Sequence, residues 1–80
     1  MKPSTADIAA LLTEVAPELD AAGIAADADL INELDIDSMD FLEFVVQLAK
    51  KYAIEVPESD YPRLATLSSC ADYVAERTEG

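Results

Sequence analysis

The segment from Ser38 to Tyr52 is apolar around most of its circumference when it is drawn as a helix. Its polar side chains fall on one narrow stripe, which consists of Asp40, Glu43, Gln47, Lys50 and Lys51. The rest of its surface is covered by Met39, Phe41, Leu42, Phe44, Val45, Val46, Leu48, Ala49 and Tyr52. A helix of this kind has to be buried on more than one side or contact another molecule. We therefore expect other helices to pack around it, and we expect Asp37 to cap its start.

Two more helices are predicted on either side of this segment. Ser4 and Asp7 form a capping-box-like start, and Pro17 is expected to end the first helix near Val15 or Ala16. The apolar face of the first helix has the spacing of Ile8, Leu11, Leu12, Val15 and Leu19. Thr66 is the expected cap of the last helix, whose core-facing positions are Leu67, Cys70, Ala71 and Val74.

The connections complete the predicted architecture. Residues 18–36 lose helical periodicity and indicate a long ordered loop, attached to the core by Leu30, Ile31 and Leu34. Residues 54–57 are expected to be extended, and residues 58–61 to form one short helical turn before Pro62. We predict an all-α fold, a small four-helix bundle of three main helices and one short helix with a long first loop. One domain is expected to span residues 1–80.

The charge balance excludes several functions. The 80 residues contain 17 acids, five bases and no His, with a formal net charge of −12. This surface repels nucleic acid and anionic membranes, so neither is an expected partner, whereas a basic protein patch is a good one. Without His, the usual general base and the commonest metal ligand are absent. We expect no catalytic residues, no metal site and no enzymatic activity.

Cysteine content and hydropathy indicate where the protein works. Cys70 is the only cysteine, so no intramolecular disulfide can form, and a reducing compartment fits. The chain shows no apolar signal region and no run long enough to cross a membrane. We expect a cytoplasmic monomer without membrane insertion.

The acids are concentrated around one serine. Seven of the 17 positions from Asp27 to Glu43 are acidic, against ten of the other 63, and no base interrupts them. Ser38 lies within this stretch, at the point where the loop enters the apolar helix. The free N–H groups and positive dipole end of a helix's first turn favour an attached phosphate. A serine in this position can also be a simple helix cap, and local physics leaves both roles open.

The residues around this serine resemble a known family. Asp37-Ser38-Met39 closely resembles the Asp-Ser-Leu attachment motif of acyl carrier proteins. The likeness extends to the lead-in Leu34-Asp35-Ile36, to Asp40 and Glu43 of the recognition helix, to the link Ile54-Glu55-Val56-Pro57-Glu58, and to the last helix from Thr66-Leu67 through Tyr73-Val74. It covers nearly the whole chain, although only the serine motif is specific.

The resemblance implies a carrier function. A phosphopantetheinyl transferase would move 4'-phosphopantetheine from coenzyme A to Ser38, and the arm's thiol would hold acyl groups as thioesters. Partner enzymes of fatty-acid, lipid or polyketide-type synthesis, acyl-transferring or acyl-activating, would dock through basic patches. The implied recognition residues are Asp37, Met39, Asp40 and Glu43. Family members shelter the acyl chain between helices, and the residues proposed for such a shelter are Phe41, Leu42, Val45, Val46, Leu67 and Ala71, all of which also suit ordinary core packing.

Two features depart from the family pattern. Met39 replaces the usual Leu after the serine, and its flexible side chain would alter the shape of the contact with a partner. Lys50 and Lys51 occupy a region that is acidic in many fatty-acid carriers. The two lysines suggest a specialised pathway.

Other functions were weighed against this one. A calcium-binding loop starting at Asp35 fails, because its fifth, sixth and twelfth positions are Met39, Asp40 and Val46. Hydrolase chemistry on Ser38 lacks a base and a nucleophile-elbow motif, and Cys70 has the spacing of a core residue. A peptidyl or aminoacyl carrier, which uses the same arm, and an unmodified acidic helical interaction module remain as alternatives.

Overall fold

The computed structural model describes residues 2–79, and these residues form an all-helical bundle. Helix α1 spans Thr5–Val15, α2 spans Ser38–Tyr52 and α3 spans Leu67–Glu79. Two 3₁₀ segments, Ala21–Gly23 and Glu58–Leu64, lie in the connections, and the described part of the chain contains no strand. The predicted all-α bundle with a long first loop is confirmed. Met1 and Gly80, the ends of the predicted domain, lie outside the described residues.

The helix starts follow the predicted capping residues. The Ser4 hydroxyl accepts the N–H of Asp7 at 3.1 Å, and the Asp7 carboxylate accepts the N–H of Ser4 at 3.2 Å, which completes a capping box. At α3, Thr66 Oγ1 accepts the N–H of Ser69 at 3.0 Å, and Ser69 Oγ accepts the N–H of Thr66 at 3.1 Å. Both pairs of hydrogen bonds satisfy N–H groups that have no partner within the start of a helix.

The core forms where the three helices meet. Helix α1 packs against both α2 and α3, and the segment Glu58–Leu64 packs against α3. The fully buried side chains include Ile8, Leu12, Phe44, Leu48, Leu67, Tyr73 and Val74. Each side chain of this size stabilises the fold by about 1.5–3 kcal/mol through burial. The predicted core positions of α3, including Cys70 and Ala71, are all buried.

The long first loop is held by backbone hydrogen bonds as well as by apolar contacts. The N–H of Leu30 donates to the carbonyl of Ala65 at 2.8 Å, and the N–H of Ser68 donates to the carbonyl of Ala26 at 3.0 Å. Leu30 is fully buried and Leu34 packs against the core, as predicted. Ile31 is 38% exposed, so its prediction as a core anchor was wrong. It lies in a tight turn closed by the Asp29 carboxylate, which directs the Leu30 side chain inward and leaves Ile31 outside.

The short helix after α2 is longer than predicted. It continues through Pro62 and ends at Leu64 instead of ending at Tyr61. Leu64 is fully buried, and its carbonyl accepts a hydrogen bond from the Cys70 thiol with a sulfur–oxygen distance of 3.6 Å. Burial of this side chain draws the segment on past the proline, whose missing N–H a short 3₁₀ turn tolerates.

A candidate attachment site at the start of α2

Ser38 is the first residue of α2, and it is exposed. Asp37 is the N-cap, as predicted: its Oδ1 accepts the N–H of Met39 at 2.9 Å, and its carbonyl accepts the N–H of Phe41 at 2.9 Å. The Asp37 side chain is therefore fixed beside the serine. The exposed Ser38 therefore lies at the capped end of a helix rather than within a loop.

The backbone makes a turn at Asp35, shortly before Ser38, and a hydrogen bond from Ile36 holds this turn against the loop. Asp35 has a positive φ of 56°, in the left-handed region that Asp tolerates better than most residues. Ile36 follows it, is buried, and donates its N–H to the carbonyl of Leu30 at 3.4 Å. This hydrogen bond places the turn around Asp29 next to the residues that lead into the serine. The turn and the buried Ile36 together set the direction in which Ser38 faces solvent.

The recognition residues predicted from the resemblance surround this serine. Asp37, Met39 and Glu43 are exposed and Asp40 is half-buried. The Glu43 carboxylate accepts a hydrogen bond from Gln47 Nε2 at 3.3 Å, one helical turn further on. A carboxylate at the first turn of a helix is favoured by the helix dipole. The start of α2 thus presents a negatively charged surface beside Ser38.

Three exposed apolar residues form a stripe along the same helix. Met39, Leu42 and Val46, which we call the apolar stripe, are 70, 42 and 43% exposed. Their spacing of three and four residues places them on one face of α2. Lys50 and Lys51 are exposed at the far end of the helix. The apolar stripe therefore has acidic residues at one end and basic residues at the other, so the surface of α2 is asymmetric in charge.

The structure does not bring the six proposed shelter residues into one space. Val45, Leu67 and Ala71 are buried in the packed core. Phe41 is half-buried at the edge of that core, whereas Leu42 and Val46 belong to the apolar stripe. Leu42 and Val46 therefore contact solvent rather than the bundle interior, because the polar neighbour Glu43 and the buried Val45 fix the rotation of α2 around its axis.

A groove near Ser38 was not predicted from the sequence. It lies between the turn around Asp29 and the segment Glu58–Leu64 and has a volume of about 430 Å³. Its lining consists of Asp29, Ile31, Asn32, Phe41, Tyr61, Pro62 and Ala65. The rings of Phe41 and Tyr61 meet edge to face, with 6.3 Å between centroids and an interplanar angle of 78°. Local sequence patterns did not indicate Tyr61, because its contact with Phe41 joins residues that are 20 positions apart in the chain.

The polar edge of the groove is an ordered turn. Asp29 Oδ1 accepts the N–H groups of Ile31 and Asn32 at 2.9 and 2.8 Å, and Asp29 Oδ2 accepts Asn32 Nδ2 at 3.1 Å. The backbone and side-chain hydrogen bonds from Asn32 lower the pKa of this carboxyl below its ordinary value. The groove therefore has apolar walls and a carboxylate at its rim.

Residues 2–79 contain neither a candidate metal site nor a candidate membrane span. Within that range no three His, Cys, Asp or Glu side chains come together in a way that could hold a metal ion. None of the helices in the same range is both long and apolar enough to cross a membrane.

Comparison with known proteins assigns the fold and the serine region to a class. A family model described as "Phosphopantetheine attachment site" matches residues 6–74, from within α1 to within α3. The class defined by this match is a phosphopantetheine-binding carrier domain, whose cofactor is covalently attached phosphopantetheine.

Individual relatives agree with the family model. The chain is 30% identical over 57 residues to an acyl carrier protein of Lactobacillus acidophilus, covering 71% of each chain. It is 29% identical over 70 residues to an acyl carrier protein of Helicobacter acinonychis, covering 88% of each. It is 34% identical over 56 residues to one of Lactobacillus johnsonii, covering 70% of each. The chain belongs to the acyl carrier protein family, whose members are carriers rather than enzymes and work by interacting with synthase or other acyl-handling enzymes.

Proposed function

We propose that Ser38 carries the phosphopantetheine arm and that the protein holds acyl groups on it as thioesters. The observation that carries this proposal is the position of Ser38, which is exposed at the first residue of α2 and follows a capping Asp37. The positive end of the helix dipole and the N–H groups of the first turn would face the phosphate of the arm. In the same proposal, residues 1–80 form a single monomeric carrier domain.

The attachment step needs chemistry from a partner. A phosphopantetheinyl transferase would form the bond between Ser38 Oγ and phosphorus while the phosphoanhydride bond of coenzyme A breaks. Adenosine bisphosphate would leave, and the hydroxyl proton would pass to a base on the transferase. The absence of His from the sequence is compatible with this division of labour, because the carrier needs no base of its own.

The surface beside Ser38 supports docking to basic partners. Asp37, Asp40 and Glu43 supply negative charge, and the apolar stripe of Met39, Leu42 and Val46 supplies contact area. We assign Leu42 and Val46 to this docking surface instead of to an acyl shelter. Charge would steer the encounter, and burial of the apolar stripe would hold the complex. The partners would be the transferase and acyl-transferring, acyl-activating or synthase enzymes of fatty-acid, lipid or polyketide-type synthesis.

The exposed lysines support a specialised pathway rather than a general one. Lys50 and Lys51 lie at the last turn of α2, and Lys51 Nζ lies 5.8 Å from the centroid of the Tyr52 ring. They would repel a partner whose basic patch extends along the whole helix. A partner with a short basic patch near Ser38, and neutral or acidic groups opposite the lysines, would fit better. A reducing compartment such as the cytoplasm would keep the arm's thiol free for acylation.

Intact-mass measurement tests the attachment directly. The purified protein is incubated with coenzyme A and a broad-specificity phosphopantetheinyl transferase, and its mass is compared before and after. We expect a gain of one phosphopantetheine, and we expect none with Ser38→Ala. Ser68→Ala is the matched control, since Ser68 is also exposed near the start of a helix, and it should gain the arm normally.

The opposite result would favour a different function. If an active transferase gave no gain, and the purified protein carried no arm already, the protein would be an unmodified acidic interaction module. If Ser38→Ala still gained the arm, the attachment would be at another serine, and peptide mapping would identify it.

A further inference from the structure

We propose that the groove between the turn around Asp29 and the segment Glu58–Leu64 binds the acyl group carried by the arm, and that it favours an uncharged, planar, conjugated acyl group. This inference rests on the proposed attachment at Ser38 and adds the chemical class of the cargo. It places the cargo outside the helical core, in a groove walled by Phe41 and Tyr61, rather than between the main helices.

The groove is close to Ser38 for two separate reasons. Phe41 lies three residues after Ser38 on α2, which places both residues on the same side of the helix. The hydrogen bond from the N–H of Ile36 to the carbonyl of Leu30 brings the turn around Asp29, which forms another side of the groove, next to the residues before Ser38. One wall is therefore connected to the serine through α2 and the other through the loop. A group on a flexible arm at Ser38 can reach the groove without any rearrangement of the helices.

The interior of the bundle leaves little room for cargo. Leu30 and Leu64, which are adjacent in sequence to the groove residues Ile31 and Ala65, are fully buried, as are Phe44 and Leu67. Interiors packed in this way cannot admit an additional chain unless the side chains shift. The groove of about 430 Å³ is already open and has the size of a small-molecule site. Cargo bound there would stabilise the protein without opening the core.

The walls of the groove favour a flat group. Phe41 and Tyr61 meet edge to face, and Pro62 and Ala65 continue the apolar wall beyond Tyr61. A planar π system gains from contacts with aromatic rings beyond the burial of its area. A conjugated acyl group is also rigid, so it loses less conformational entropy on binding than a saturated chain of the same length. Both effects favour the conjugated group.

The rim of the groove disfavours an acidic cargo. The Asp29 carboxylate lies at this rim and is anionic at neutral pH, since hydrogen bonds from Asn32 lower its pKa. A second carboxylate at the end of an acyl group would meet this charge and the negative field of the surrounding acids. Uncharged acyl groups are therefore preferred over dicarboxylic ones.

The test compares cargoes of matched length on the intact protein. Ser38 is loaded by the transferase from coenzyme A, hexanoyl-coenzyme A, 2,4-hexadienoyl-coenzyme A and adipoyl-coenzyme A, and intact mass verifies each product. We expect the hexadienoyl form to have a thermal midpoint about 4 °C above that of the form with the bare arm. The hexanoyl form should show a smaller rise, and the adipoyl form none. Amide chemical shifts of Ile31 and Ala65 should change most in the hexadienoyl form.

Two substitutions at Tyr61 locate the effect. Tyr61→Leu removes the ring while keeping an apolar side chain, and it should abolish the difference between the hexadienoyl and hexanoyl forms. Tyr61→Phe keeps the ring and should preserve the difference. Because Tyr61 is only half-buried, both variants should fold, and their bare-arm forms supply the reference midpoints.

The outcomes separate this inference from the function on which it rests. If Ser38 gains no arm, the carrier function itself fails, and the cargo assignment fails with it. If Ser38 is loaded but the three acyl forms and the bare-arm form melt together, only the groove assignment is overturned. A larger shift for hexanoyl than for hexadienoyl, or a difference between these two forms that persists in Tyr61→Leu, would place the cargo elsewhere. Changes at Ile31 and Ala65 that require an added partner enzyme would make the groove a docking site for that enzyme.

Discussion

The hydroxyl of Tyr73 donates a hydrogen bond of 2.7 Å to Oδ2 of Asp60, and this bond ties α3 to the segment Glu58–Leu64. Arg77 donates to the same oxygen at 2.6 Å. The guanidinium groups of Arg63 and Arg77 lie 4.9 and 5.0 Å from the centroid of the buried Tyr73 ring. Asp60 directly precedes Tyr61, so the same contacts hold one wall of the groove in place.

The Asp60–Tyr73 contact predicts a pH-dependent contribution to stability. The hydrogen bond from Tyr73, together with Arg77, lowers the pKa of Asp60 in the folded protein. A carboxyl with a lowered folded-state pKa contributes stability above its unfolded pKa of about 4, and this contribution is lost as pH falls through the folded-state value. Tyr73→Phe should therefore lower the thermal midpoint at pH 7, and the difference from the unmodified sequence should narrow below about pH 4.

Thermal melts followed by circular dichroism between about pH 7 and pH 3 test this prediction, because that range crosses the titration of Asp60. Tyr52→Phe is the matched control, because it removes a tyrosine hydroxyl from α2 without touching Asp60. The difference in thermal midpoint between Tyr52→Phe and the protein without substitutions should not narrow at acid pH. If the difference in thermal midpoint between Tyr73→Phe and the protein without substitutions stayed constant across this pH range, the role assigned to Asp60 would be contradicted.

The two roles assigned to Asp37 can be separated by substitution. Asn caps helices about as well as Asp, so Asp37→Asn should keep the hydrogen bond to the N–H of Met39 and lose only the charge. Asp37→Ala should lose both and destabilise the protein by about 1 kcal/mol. We expect transferase kcat/KM to fall in both variants, and the free energy of unfolding to fall clearly only in Asp37→Ala. Equal transferase activity in Asp37→Asn and the unmodified protein would remove Asp37 from the recognition surface.

The features that the sequence predicted well are those decided within a few residues. Ser4 with Asp7, Asp37 with Met39, and Thr66 with Ser69 each form a cap whose partners lie two or three positions apart. The ends of α2 follow from the same local signals and from its apolar circumference. Local capping and periodicity are sufficient to predict such elements, since neither depends on how the chain folds back on itself.

The features that the sequence did not predict depend on long-range packing. Ile31 is exposed because the Asp29 turn directs it outward. Tyr61 contacts Phe41 across 20 positions of the chain, and the Leu30–Ala65 hydrogen bond joins segments 35 residues apart. The apolar circumference of α2 could not show which of its residues face the core. Phe44 and Val45 are buried, whereas Leu42 and Val46 are exposed, and the packing of α2 against α1 decides between them.

The left-handed residue that ends α2 predicts a stabilising substitution. Ala53 caps the helix with φ 54° and ψ 47°, a conformation that costs a residue with a Cβ atom about 1–2 kcal/mol. Glycine adopts this conformation freely but loses more entropy on folding, so Ala53→Gly should stabilise the protein by about 0.5–1 kcal/mol. Denaturant unfolding measures the change. Ala49→Gly, inside the same helix, should destabilise by about 1 kcal/mol, and stabilisation by both substitutions would contradict the conformational cause.

The buried cysteine predicts a simple distinction between the unmodified and the arm-bearing protein. Burial raises the pKa of the Cys70 thiol to about 12, so almost none of it is thiolate at pH 8. We expect it to react slowly with a thiol reagent in the folded protein and quickly in denaturant. Attachment of the arm should add one fast-reacting thiol. Ser38→Ala treated with the transferase should show only the slowly reacting thiol. A fast-reacting thiol in the protein without the arm would contradict the burial of Cys70.

Charge steering predicts how the transferase reaction responds to salt. The Debye length falls from about 10 Å at 0.1 M salt to about 3 Å at 1 M, so attraction between exposed charges weakens over this range. Since Asp37, Asp40 and Glu43 supply the local negative charge, kcat/KM for the transferase should fall about tenfold between low and high salt, mostly through the association rate.

Glu43→Gln should lower kcat/KM at low salt and flatten the salt dependence. Glu18→Gln changes the net charge equally but lies in the first loop, and it should leave both quantities nearly unchanged. A salt-independent reaction, or equal effects of the two substitutions, would show that the overall charge of the protein, or contacts other than charge, govern the encounter.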